Sequence, residues 1–134
     1  MVRMGELKGK GRILVGTLAS LLLAGNAWAR TPVGYDEPKV QEAMKGGKPV
    51  LVEVFADWCP SCKKTHVALE KALDSVPELQ AFGIDFDKDE SLLKRYAVEE
   101  QGTLLMVREG KEVARLAGET NADKIIEWIK SQTK

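Results

Sequence analysis

The only two cysteines of the 134-residue chain stand two residues apart in Trp58-Cys59-Pro60-Ser61-Cys62, directly after the apolar run Val50-Leu51-Val52-Glu53-Val54-Phe55. A strand that ends in Cys-x-x-Cys and continues as a helix is an arrangement for redox chemistry. The first thiol falls at a helix N-terminus, where the positive end of the macrodipole and free backbone N–H groups favour thiolate over thiol. The second lies one turn on, within reach of a small disulfide. One cysteine can attack a substrate disulfide and the other can release the mixed disulfide that forms. A purely structural bridge is the weaker reading, because the loop it would close is very short and stabilisation by a staple grows with loop length.

Other residues near the pair are more ambiguous. Glu53 puts a carboxyl in the middle of an apolar strand, on the same face as Phe55. It is either an edge residue facing water or a buried acid with a purpose. His66 is the sole histidine. With Cys59 and Cys62 it makes three metal ligands, one short of a structural zinc site, and there is no second Cys/His cluster. It reads instead as a partly exposed helix residue, and no metal is expected. Covalent haem is not expected either, because Lys63 stands where that motif requires histidine. Lys63 and Lys64 read as a solvated face, though cations there could also favour a Cys59 thiolate.

The elements that must position these groups follow from periodicity and breakers. Glu37 to Lys45 fits one or two helical turns stopped by Gly46-Gly47. The near-continuous apolar run Val50–Phe55 suits a central strand covered on both faces. Cys59 to about Ser75 is helical, with Val67, Ala68, Leu69, Ala72 and Leu73 as its apolar face, and Pro77 ends it. Leu79–Phe86 is a second strand, Glu90–Tyr96 a short helix, and Thr103–Val107 a third strand. A hairpin turn at 108–111 leads into Glu112–Leu116, and Asn121 caps a last helix with Ile125, Ile126, Trp128 and Ile129 on its buried side. This order, βαβ then ββα, predicts an α/β fold with a mixed sheet and helices on both faces.

Composition bounds the rest. At 44% hydrophobic and 30% charged the chain is ordinary for one domain, with formal net charge zero. Of its 20 basic and 20 acidic residues, four basic and one acidic fall in residues 1–29, leaving 16 and 19 for the remainder. An acidic body argues against nucleic acid as a partner. Residues 1–29 read as a signal peptide: a basic stretch to Arg12, a short apolar core Ile13–Ala24 and the small-residue site Ala27-Trp28-Ala29 before Arg30. An uncleaved anchor, holding the domain on the outer face of the membrane, is the alternative. Residues 30–36 are then a loose lead-in, with Pro32 and Gly34 disfavouring regular structure, and 37–134 the functional domain.

Trp-Cys-x-x-Cys after the first long strand, in this order of elements, resembles the thioredoxin family over roughly residues 36–131. The most specific stretches are Val52-Glu53-Val54-Phe55-Ala56-Asp57-Trp58-Cys59-Pro60-Ser61-Cys62-Lys63 and Thr103-Leu104-Leu105-Met106-Val107 with Gly110 and Gly118. With its export signal the chain is most similar to the periplasmic or otherwise extracytoplasmic members. The resemblance implies a monomeric thiol:disulfide oxidoreductase acting on protein disulfides without a cofactor, with a membrane electron-conducting reductase as a potential partner. It implies a Cys59–Cys62 disulfide, Cys59 as attacking and Cys62 as resolving cysteine. Glu53, where the family usually has aspartate, would take the proton of Cys62. Trp58, Pro60, Gly102 and Thr103 would form the substrate-docking surface. A reductase is the expected direction; an oxidase or isomerase, or a redox-inactive binding module, are the alternatives. Two positions depart from the family pattern. Gly102 stands where a cis-proline is usual, so the Gln101–Gly102 bond is expected to be trans. Ala81 stands where a lysine commonly lies near the buried acid.

Overall fold

The structure, a computed structural model, describes residues 30–134. The signal-peptide expectation falls on residues 1–29 and lies outside the described part. The elements are β1 (Val33–Gly34), α1 (Glu37–Ala43), a short 3-10 turn (Lys45–Gly47), β2 (Val50–Phe55), α2 (Pro60–Ser75), β3 (Gln80–Asp85), α3 (Glu90–Arg95), β4 (Thr103–Arg108), β5 (Lys111–Ala117) and α4 (Ala122–Gln132). The strands form one sheet in the order β1-β3-β2-β4-β5. Strands β1 and β2 run parallel to β3, whereas β4 is antiparallel to both β2 and β5. The mixed sheet expected from the order of elements is therefore present.

Periodicity explains why β2 sits at the centre. Val50, Val52 and Val54 face one side, where they pack with Val40, Phe82, Ile84, Tyr96, Leu105 and Val107 under α1 and α3. Leu51 faces the other, among Ala68, Leu69, Leu73, Leu104, Met106, Ile125 and Ile129 under α2 and α4. An apolar strand without alternation is what a doubly covered position requires. The single polar member of β2, Glu53, lies on the α2 side.

Local signals set the boundaries. Asp36 and Asn121 accept the N–H of Lys39 and Lys124 and so cap α1 and α4. Glu109 and Gly110 have φ of 53° and 77°, the pair of positive values that a tight β-hairpin needs. Three details differ from expectation. Val33–Gly34 pairs with Phe82–Gly83 as a two-residue edge strand inside the lead-in, too short to leave a periodic trace. Val67 is not in the apolar face of α2; it is 53% exposed, while Ala68, Leu69, Ala72 and Leu73 are buried. In α4, Ile125 and Ile129 are buried, with Ile126 and Trp128 half-buried beside them.

Candidate active site

Strand β2 ends at Phe55, and the chain turns through Ala56-Asp57-Trp58, closed by the Cys59 N–H donating to the Ala56 carbonyl at 3.1 Å. Cys59 is then the N-cap of α2, with Pro60 at the first helical position, where its missing N–H is no loss. The N–H of Cys62 donates to Cys59 Sγ at 3.2 Å, and Ser61 Oγ lies 3.2 Å from the same sulfur. Cys59 and Cys62 are joined by a disulfide, with Cα atoms 5.3 Å apart. When the bond is reduced, a thiolate at Cys59 would keep this N–H, the hydroxyl and the positive end of a 16-residue helix as stabilising partners. Both cysteines are covered, Cys59 2% and Cys62 4% exposed, packed with Ala56, Phe55 and Phe86.

Glu53 is 2% exposed, which removes the reading of a solvent-facing edge residue. Its strand neighbours in register are Gly83 on β3 and Leu104 on β4, so no cation sits beside it in the sheet. Ala81 pairs with Leu51, two residue pairs away along the ladder, and belongs to the apolar core. The partner Glu53 does have comes from α2: His66 Nδ1 lies 3.1 Å from Oε2. Carboxyl oxygen Oε1 is buried with no hydrogen-bond partner. Burial pushes the Glu53 carboxyl above the usual glutamate range; the hydrogen bond and charge of His66 pull it back in part, and Glu70 adds a smaller upward push. Glu53, Cys62 and His66 line one cavity of about 430 Å³, walled by Phe55, Val67 and the bare backbone of Gly83. The acid and the second cysteine thus open onto the same space.

On the outer side, Trp58 is 60% exposed, and its indole N–H donates to Asp87 Oδ2 at 2.9 Å. This bond fixes an apolar surface beside the cysteines, a geometry suited to docking. Gly102 has φ of 77° and a trans peptide bond before it. Its N–H donates to the Val54 carbonyl at 2.7 Å and its carbonyl accepts from Gly118 at 3.2 Å, so both its backbone groups are used internally. A Cβ at this position would stand 3.9 Å from Cys62 Sγ, which places the Gly102 turn against the disulfide. Thr103 is buried, and its hydroxyl donates to the Glu100 carbonyl at 2.8 Å, holding that turn rather than facing a partner. Pro60 is exposed at the helix start.

All seven residues singled out in the sequence come together at the β2–α2 end of the sheet. Three others had not been assigned a part there. They are His66, expected only as a partly exposed helix residue, together with Ser61 and Asp87. Helical spacing carries the one available signal for His66: it stands four residues beyond Cys62, one turn on along the same face.

The thioredoxin family model matches residues 35–131. The chain is 32% identical to a thioredoxin of Chlamydia trachomatis over 80 residues, 60% of this chain and 78% of that one. With a thioredoxin of Acidithiobacillus ferridurans it shares 29% identity over 98 residues, covering 72% and 91% of the two chains. Among solved structures, Trxlp from Edwardsiella tarda superposes with a TM-score of 0.67 at 33% identity, covering 73% of this chain and 97% of that one. A Fasciola hepatica thioredoxin gives 0.64 at 30% identity, covering 73% and 90%.

Proposed function

Because this chain belongs to the thioredoxin family and is a protein-disulfide oxidoreductase with a Cys59–Cys62 redox pair, we propose that it works outside the cytoplasm as a reductase of protein disulfides. The observation that carries the chemistry is the position of Cys59: it caps α2, and its sulfur accepts the Cys62 N–H at 3.2 Å. In the reduced protein Cys59 attacks a substrate disulfide, forming a mixed disulfide and expelling one substrate thiolate. Cys62 then gives up its proton to Glu53 and attacks Cys59 Sγ; the Cys59–substrate bond breaks and the second substrate thiolate leaves. Trp58, Pro60 and the Gly102–Thr103 turn receive the substrate around the pair. The monomer needs no cofactor for this exchange.

Export rests on the signal-like composition of residues 1–29. In an oxidising compartment the reduced pair needs a dedicated electron source, so the upstream partner is a membrane electron-conducting reductase. The oxidase reading has one observation in its favour: a Ser61 hydroxyl on Cys59 Sγ stabilises the thiolate and thereby the reduced form.

Insulin reduction tests the activity, and the wild type should be active where Cys59→Ser is not. The potential of the pair gives the direction: a value near about −270 mV means reductase, and one near about −120 mV means oxidase. N-terminal sequencing of exported protein should begin at Arg30; a chain retained in the cytoplasm would contradict the location.

A further inference from the structure

The partner of the buried acid is a histidine with one edge in water. His66 Nδ1 is 3.1 Å from Glu53 Oε2, and its Nε2 points the other way, 3.7 Å from Glu70 Oε1. The imidazole side chain is 41% exposed, whereas the Glu53 side chain is 2% exposed. One ring therefore spans from an almost fully covered carboxyl to the surface of α2. Imidazole can hold a proton on either nitrogen and exchange it near neutral pH. The titratable groups of the cavity are Glu53 from β2, Asp57 from the turn, and Cys62, Lys63 and His66 from α2, with Glu70 at the outer edge of the ring.

This arrangement answers a problem left by the exchange chemistry. Each time Cys62 attacks, one proton is deposited on Glu53, whose side chain is 2% exposed and has little direct exchange with water. In the sheet, Glu53 has only Gly83 and Leu104 beside it in register, neither of which can carry a proton.

We propose that His66 is a positioning residue and proton relay for the resolving step: it holds the Glu53 carboxyl towards the cavity and carries the proton of Cys62 from Glu53 to water. The inference rests on the exchange roles of Cys59, Cys62 and Glu53 given above. The balance is complete without a further reactant. The Cys62 Sγ–Cys59 Sγ bond forms and the Cys59–substrate S–S bond breaks. The electron pair leaves with the substrate thiolate, which is protonated by water. The Cys62 proton passes to Glu53, Oε2 delivers it to Nδ1, and Nε2 releases one to solvent. In reverse the same path returns a proton to Cys62 when the pair is reduced.

The test is a single-turnover reaction of the reduced full chain with a chromogenic aromatic disulfide. The first coloured thiolate reports attack by Cys59, and the second reports resolution by Cys62. His66→Ala should leave the first phase unchanged, slow the second by about tenfold or more at neutral pH, and alter its pH profile. Added imidazole, which the cavity is large enough to admit, should restore the second phase in His66→Ala and leave Glu53→Gln unaffected. His66→Gln can hold Glu53 by a hydrogen bond yet cannot relay a proton, so it should be as slow as His66→Ala. A second phase that matches the wild type in rate and pH profile in both variants would overturn the proposal. So would a His66→Gln that restores the rate, or a slowed His66→Ala that imidazole does not rescue. Loss of the first phase in the wild type would instead overturn the exchange function itself, and the relay with it.

Discussion

Glu53 is a carboxyl buried at the site, with one of its oxygens left without a hydrogen-bond partner. Burial raises its affinity for a proton in the folded state above that in the unfolded chain. The folded state therefore binds more protons than the unfolded state as pH passes upward through the ordinary glutamate range, and stability falls there. Glu53→Gln removes that dependence. It should match the wild type near pH 4 and exceed it at pH 7 by roughly 1–3 kcal/mol, the desolvation range of a buried polar group. Thermal melts at the two pH values check this, and a variant less stable at pH 7 would contradict it. The same variant should resolve mixed disulfides slowly, trading activity for stability. Ser61 acts on the other cysteine. If its hydroxyl donates to the Cys59 thiolate, Ser61→Ala loses a charge-assisted bond of roughly 1.5–3 kcal/mol and the potential falls by about 30–60 mV. Equilibration with glutathione or dithiothreitol measures the shift. The Cys59–Cys62 pair was legible from residue type and spacing, whereas Glu53 stood out as a carboxyl in an apolar strand without spacing alone deciding whether it faced water. The Glu53–His66 and Trp58–Asp87 contacts join residues 13 and 29 positions apart. They depend on how α2 and the β3–α3 turn pack, which local pattern does not encode.

Among the elements, the turn before β4 departs most from the family pattern. A glycine in place of proline could have meant a simple loss of constraint. Instead Gly102 takes a φ of 77° and uses its N–H on Val54, neither of which proline can do. Gly102→Pro should therefore destabilise by about 3 kcal/mol or more rather than restore a family-like turn. Gly102→Ala should cost about 1–2 kcal/mol through its backbone alone, because its Cβ would make only ordinary contact with Cys62 Sγ at 3.9 Å. Denaturant titration of the two variants separates these effects. The trans bond at 101–102 was readable from the cost of a cis bond before a non-proline residue. The positive φ was not, since glycine permits either sign. Long elements were legible because β2 is apolar throughout and α2 repeats with helical period. The two-residue β1 was not, because its ladder is supplied by β3 and not by its own sequence.

At the scale of the molecule, the site is held by two cores that share one sheet. Phe82 is 1% exposed on the α1/α3 side, and Leu51 is 0% exposed on the α2/α4 side. Phe82→Ala should cost about 3–5 kcal/mol. The loss should appear as one cooperative transition that takes the active site with it, because β2 belongs to both cores; separate unfolding of the α2 half, seen by circular dichroism, would contradict this. The central claim is the division of labour between the two sulfurs, and trapping a mixed disulfide tests it most directly. Reduced Cys62→Ser mixed with insulin should accumulate a covalent complex through Cys59, released by added thiol and visible by mass spectrometry. Cys59→Ser should accumulate none. A complex trapped through Cys62, or none in either variant, would contradict the account.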